Sequence, residues 1–208
     1  ENGKAVLEWR FYFAEGAGDG GKSSCLIRIV LTDMGGNTVL EGIQPLHEEE
    51  PLRSVLLQPR LWRGTEDPYL YCLEAYLTDR DGRCLDSVSR PLALRVVSGI
   101  GDAGRILLNG EVLERRAVSY CPPSASSEAE RVLLMEEDLR RIRRLGANCV
   151  LAEGGDGPGR SLLHLCDRYG FLLFSGEKGG AGYARFCGDD SKSRIPWEEP
   201  VPCFRGEK

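Results

Sequence analysis

Residues 132–152, VLLMEEDLRRIRRLGANCVLA, followed by residues 160–174, RSLLHLCDRYGFLLF, decide the fold. In the first stretch Val132, Met135, Leu139, Ile142 and Leu145 recur at intervals of three and four, which is helical spacing. Acids come early (Glu136, Glu137, Asp138) and arginines late (Arg140, Arg141, Arg143, Arg144), the order that suits a helix macrodipole. Gly146 is a natural C-terminal stop, and the polar loop Ser124–Glu130, with Ser126-Ser127-Glu128, is where the helix can start. Ala147–Ala152 then reads as a short apolar strand, Arg160–Tyr169 as a second helix closed by Gly170, and Phe171–Phe174 as the next strand. With Arg116–Tyr120 as a short strand upstream, the order is strand, helix, strand, helix, strand, which predicts parallel βαβ units.

Working upstream, Arg105–Leu108 is a short strand, and Asn109-Gly110 is a two-residue hairpin signal with Glu111–Leu113 returning. Ser98–Gly104 is small and glycine-rich and marks a boundary. Before it, residues 1–97 read as strands separated by turns. They are Ala5–Phe13, Cys25–Thr32, Thr38–Ile43, Pro51–Leu57, Tyr69–Thr78 and Cys84–Val97, with turn signals at Asp33–Asn37 and Asp79–Gly82. Six strands at this spacing, close to the roughly seven of that fold, predict an immunoglobulin-like sandwich. Downstream of Ser175, Gly176, Gly179, Gly180 and Gly182, then Pro196, Pro200 and Pro202, predict an irregular tail, with Trp197 and Phe204 pinning it to the body.

The 208 residues suffice for one large domain or two small ones, and an apolar fraction of 41% can build a core. A net charge of −5 disfavours a nucleic-acid surface, which carries a basic patch. No apolar run approaches the roughly 20 residues of a membrane-spanning helix. Glu1–Lys4 lacks the charged and apolar regions of a signal peptide, which can lie outside these residues; the compartment is left open, with cytoplasmic slightly favoured over secreted. Of the eight cysteines none are spaced as CxxC. Cys72, Cys149 and Cys166 sit in apolar runs, which favours buried thiols over a disulfide framework.

Four motifs, in order, resemble family 2 glycoside hydrolases of the β-galactosidase and β-glucuronidase kind. Pro59-Arg60-Leu61-Trp62 with Pro68-Tyr69-Leu70-Tyr71 resembles the family's "PxLW … PxLY". Leu108-Asn109-Gly110 with Arg116–Cys121 (RAVSYC) resembles "LNG … RGVNxH". Asp138-Leu139 with Leu145–Leu151 (LGANCVL) resembles "DL … GxNxVR", and Leu165–Gly170 (LCDRYG) resembles "LCDxxG". The match covers about residues 5–174. It implies an immunoglobulin-like β-sandwich (1–98) followed by a truncated (β/α) barrel segment with its tail (99–208), in an ancestral setting of bacterial carbohydrate metabolism.

The departures fall on positions that the resemblance places in the substrate pocket, at the C-terminal ends of the barrel strands. The family's glycine is Ala117, its asparagine Ser119, its histidine Cys121 and its arginine Leu151; the "SxHxP" that follows is replaced by Ala152-Glu153-Gly154-Gly155. A further acidic position is Gly176. Ser119, Cys121, Leu151 and Glu153 are therefore degenerate pocket positions. Retaining glycosidases use two carboxylates about 5–5.5 Å apart, which in this family come from the fourth and seventh barrel strands; no segment here resembles either. No catalytic residue is assigned.

Other candidates have ordinary explanations. Glu153 and Glu177 follow predicted strands as loop acids, and Glu48-Glu49-Glu50 is a charge run of the kind found on solvated loops. The two histidines, His47 and His164, have no second ligand at metal spacing, so neither a metal nor a cofactor is expected. Cys121 would be a reactive thiol only if Arg115 or Arg116 stood beside it. Gly154–Gly159 precedes a helix but lacks the Lys-Ser/Thr of a phosphate loop. The expected function is a truncated or degenerate family 2-like protein without glycosidase activity by itself. Alternatives are a carbohydrate-binding or assembly module, self-associating through the open barrel edge, and a part of a glycosidase completed by another chain.

Overall fold

The computed structural model describes residues 3–11, 25–46, 51–153, except 101–104, then 159–176, 182–186, 194–197 and 203–205; at 100, 153, 176 and from 182 onward it describes the backbone alone. Among the described residues the chain is mostly β with two helices, and it divides into two compact units, residues 1–60 with 70–94 and residues 61–69 with 95–208.

Among its described residues the first unit holds six strands: β1 (Lys4–Trp9), β2 (Leu26–Thr32), β3 (Thr38–Pro45), β4 (Leu52–Leu57), β5 (Tyr71–Thr78) and β6 (Cys84–Leu92). β1 and β4 form an antiparallel pair, and the others an antiparallel sheet in the order β3-β2-β5-β6. Alternation sets the faces at the start of β2, where Ile27 and Ile29 are buried while Leu26 and Arg28 are exposed; Val30 and Leu31 are both buried. Gly42 of β3 lies between the Leu52 and Ile29 side chains, where an added Cβ would come within 3.1 Å of Leu52 Cδ2 and 3.2 Å of Ile29 Cγ1.

The second unit opens with a three-stranded sheet, β7 (Val97–Ile100), β8 (Arg105–Leu108) and β9 (Glu111–Leu113). Asn109 (φ 54°) and Gly110 (φ 86°) make the predicted two-residue hairpin, with Leu108 opposite Glu111. Then come β10 (Ala117–Cys121), α1 (Glu128–Arg144), β11 (Cys149–Glu153), α2 (Arg160–Tyr169) and β12 (Leu172–Gly176). β10, β11 and β12 pair in parallel, as the βαβ reading required. The helix ends follow the sequence chemistry. Ser127 caps α1, accepting the Glu130 N–H at 3.2 Å, and Gly146 (φ 83°) and Gly170 (φ 87°) follow the two helices in the left-handed conformation. The core between helices and sheet is Tyr120, Met135, Leu139, Ile142, Val150, Leu162, Leu165, Cys166, Phe171 and Leu173, with Ala147 and Ala152.

Two expectations are corrected. The predicted strand Cys84–Val97 is two strands: β6 ends at Leu92, opposite the first residue of β5, where its partner runs out, and Val97 begins β7 against β8. The predicted irregular tail contains β13 (Gly182–Phe186), β14 (Arg194–Trp197) and β15 (Cys203–Arg205). β13 runs antiparallel to β12, β14 antiparallel to β13, and β15 parallel to β10, giving one sheet in the order β14-β13-β12-β11-β10-β15. The unpaired N–H and C=O groups at the edges of a three-stranded ladder pair with any available backbone, so glycine- and proline-rich segments join without a side-chain pattern that announces them. Pro196 sits in β14, the outermost strand, where a missing N–H is tolerated. His47, Glu48–Glu50, residues 154–158, Glu177 and Cys187 lie outside the described residues.

Candidate functional site

The positions that the resemblance assigns to a pocket lie on the face of β10–β12 turned away from the helices. Alternation along β10 sends Val118 and Tyr120 to the helix core and Ala117, Ser119 and Cys121 to the opposite face. Register then places Ser119, Leu151 and Phe174 side by side in one row, with Cys121, Glu153 and Gly176 at the strand ends beyond it. Ser119 and Phe174 are buried, Leu151 half-buried and Cys121 exposed. Glu153 is described only as the last residue of β11, opposite Gly176. The structure thus brings Ser119 and Leu151 together, with Phe174, which the sequence reading had not singled out.

Of these positions the described side chains offer one hydroxyl (Ser119), one thiol (Cys121) and apolar surface (Leu151, Phe174). The Cys121 thiol donates to the Pro122 carbonyl at 4.0 Å. Arg115 and Arg116 stand at the other end of the strand, about 17 Å away along an extended chain. Arg116 is engaged there, donating to Gly146 O at 2.7 Å and to Glu114 Oε2 at 3.2 Å. The cysteine those two arginines act on is Cys149, and its complete burial prevails, pushing its thiol up to about 12. Among the described residues no group of three or more His, Cys, Asp and Glu side chains is placed to hold a metal.

The buried acids are occupied on the other side of the sheet. Tyr120 donates its hydroxyl to Asp138 Oδ2 at 3.0 Å, both residues being buried. Burial first, then the Asp138 charge, push the Tyr120 phenol far above its ordinary value, so it stays a protonated donor. Asp167 receives Arg95 Nη1 at 2.6 Å, with both side chains nearly buried. The Arg95 guanidinium also lies over the Trp62 ring at 4.5 Å, while the Trp62 indole N–H donates to Asp167 O at 2.8 Å. That carbonyl belongs to the last turn of α2, where no intrahelical donor remains. His164, half-buried on α2, joins no metal cluster among the described residues.

Two asparagines complete the framework. Asn148 accepts the Arg116 N–H (2.8 Å) and donates to Glu114 O (2.7 Å), fixing the entry to β10. Asn109 accepts the Val96 N–H (3.0 Å) and donates to Trp62 O (2.9 Å). Arg95 gave no signal in the sequence, because its partners lie 33 and 72 positions away.

This geometry has known counterparts. Residues 17–95 match the sequence model of the Glycosyl hydrolases family 2. A β-glucuronidase of Bacteroides fragilis is 36% identical over 102 residues, which are 49% of this chain and 14% of that protein. The chain is a family 2 glycosyl hydrolase-like protein. A β-galactosidase of Bacteroides ovatus is 29% identical to the family 2-like chain over 117 residues, covering 56% of it and 13% of the relative. Among solved structures, an FMN-binding β-glucuronidase from Facaelibacterium prausnitzii L2-6 shares the fold with a TM-score of 0.70 at 21% identity, over 83% of this chain and 25% of that one. The family 2-like chain thus spans about one-seventh of the curated relative from B. fragilis.

Proposed function

We propose that these 208 residues form a degenerate family 2-like module, an immunoglobulin-like sandwich of about residues 1–98 followed by the opening of a (β/α) barrel, without glycosidase activity by themselves. The observation that carries the reading is the residue set at the strand ends, Ser119 and Cys121 on β10, Leu151 and Glu153 on β11 and Phe174 and Gly176 on β12, which holds one carboxylate. Hydrolysis of a glycosidic bond uses a pair of carboxyl groups flanking it; Ser119, Leu151 and Phe174 supply neither, and Glu153 is one carboxylate where two are needed.

The sheet edges support the same reading. Every strand of a (β/α) barrel is parallel to its neighbours, but here β12 is flanked by the antiparallel β13, and the other side of β10 is taken by β15. The chain's own strands occupy the positions where further barrel strands, its own or another chain's, would add. The relatives are named for action on β-glucuronides and β-galactosides, so the expected partner class is a carbohydrate.

The test is hydrolysis of p-nitrophenyl β-glucuronide and β-galactoside by the purified 208-residue chain beside a heat-treated sample. Equal rates are expected. Turnover above the control, lost on heating, would overturn the reading. A melting shift with millimolar glucuronate or galactose, following RT ln(1 + [L]/Kd), would show a sugar-binding site surviving without chemistry.

A further inference from the structure

The last strand of the first unit ends its sheet unlike the strands inside it. β6 is exposed from Cys84 to Pro91, with Val88 43% and Leu85 52% accessible. Register carries three rows from the core to this edge: Ile27–Leu77–Asp86, Ile29–Ala75–Val88 and Leu31–Leu73–Arg90. Two apolar rows therefore end in opposite charges, and the row between them ends in an exposed valine. Asp86 and Arg90 share one face but lie about 13 Å apart along the strand, too far to pair with each other. The Ser87 N–H beside them is held by Asp86 Oδ1 at 2.7 Å, a local cap.

One occupant answers all of these features. If a second β6 runs antiparallel beside the first with Val88 opposite Val88, then Asp86 faces the second copy's Arg90 and Arg90 faces its Asp86. Ser87 faces Ser89 on both sides, so its N–H gains a backbone acceptor and Asp86 is released to the arginine. Since Asp86 and Arg90 are the only charges in β6 and are symmetric about Val88, this is the register in which both find opposite charges. The two sheets become one of eight strands, with an unbroken apolar row Ile29–Ala75–Val88 continuing into its symmetry copy. We propose that two copies of this chain associate in this way, through an isologous β6–β6 pairing about a two-fold axis at Val88.

A nine-residue edge buries little area, so association is expected at high protein concentration. Sedimentation velocity on the whole chain, from about 10 μM to about 1 mM, should show the mass rising from 23.0 kDa toward twice that value. Asp86→Arg alone, or Arg90→Asp alone, sets like charges opposite each other at two places per dimer and should weaken association about tenfold or more. The double variant Asp86→Arg/Arg90→Asp restores the complementarity and should associate like the parent. Register is read separately by Val88→Cys in a chain whose Cys84, Cys121, Cys187 and Cys203 are serine. Directly opposed Cα atoms about 4.5–5.5 Å apart suit a disulfide, so oxidation should give a covalent dimer, whereas Ser87→Cys, facing Ser89, should give far less. A chain that stays at 23.0 kDa throughout overturns the proposal. So does association that survives both single charge variants, or equal cross-linking at positions 87 and 88.

Discussion

Replacing Trp62 should remove most of the second unit's margin of stability. The side chain is fully buried, its indole N–H donates to the α2 carbonyl of Asp167 at 2.8 Å, and the Arg95 guanidinium covers its ring at 4.5 Å. Trp62→Ala removes the buried ring, which costs about 3–5 kcal/mol. The upper end is expected, because Arg95 also loses a cation–π contact of about 0.5–2 kcal/mol. Trp62→Phe keeps a ring for Arg95 but removes the indole donor, leaving the part-buried helix-end carbonyl without it, at about 1 kcal/mol or more. Against a usual total of about 5–15 kcal/mol, the alanine variant should be marginal and the phenylalanine variant measurably weakened. Urea unfolding followed by circular dichroism at 222 nm reads this directly, since both described helices lie in the second unit. If both variants lose less than about 0.5 kcal/mol, as surface substitutions do, the anchoring role is wrong.

Three further outcomes follow from the same geometry. Gly146→Ala and Gly170→Ala start from nearly the same φ, 83° and 87°, but a Cβ at 146 meets nothing within 4 Å while one at 170 would stand 2.5 Å from Gly64 O and 2.6 Å from Thr65 Cα. Gly146→Ala should therefore cost about 1–2 kcal/mol, and Gly170→Ala several times more, a difference visible in Tm and absent if the 61–69 segment does not seat there. Iodoacetamide on the folded chain should modify exposed Cys84 and Cys121 well before Cys149 and Cys166, with Cys149 protected both by burial and by a thiol raised to about 12; mass spectrometry of the digest gives the order. Ser127→Ala removes the oxygen that accepts the Glu130 N–H and should lower stability by about 1 kcal/mol, with Ser127→Asp recovering most of it in the same urea titration.

The sequence by itself determined the local elements of this protein and their order. Helical spacing from Val132 to Leu145, the glycines at 146 and 170 and the Asn109-Gly110 turn act over a few residues, through backbone conformation and the period of apolar side chains, so they can be read without a partner. The motif residues Trp62, Asn109, Asp138, Asn148, Asp167 and Gly170 were legible too, but their work was not: the fold puts them to holding the second unit together. What only the tertiary structure decided depends on pairing across distance. Residues 61–69 leave the strands around them to join the second unit, Arg95 finds Trp62 and Asp167, and Ser119, Leu151 and Phe174 fall into one row. The tail pairs along both edges of the parallel strands through backbone groups that every residue carries, which is why its glycines and prolines gave no sign of it.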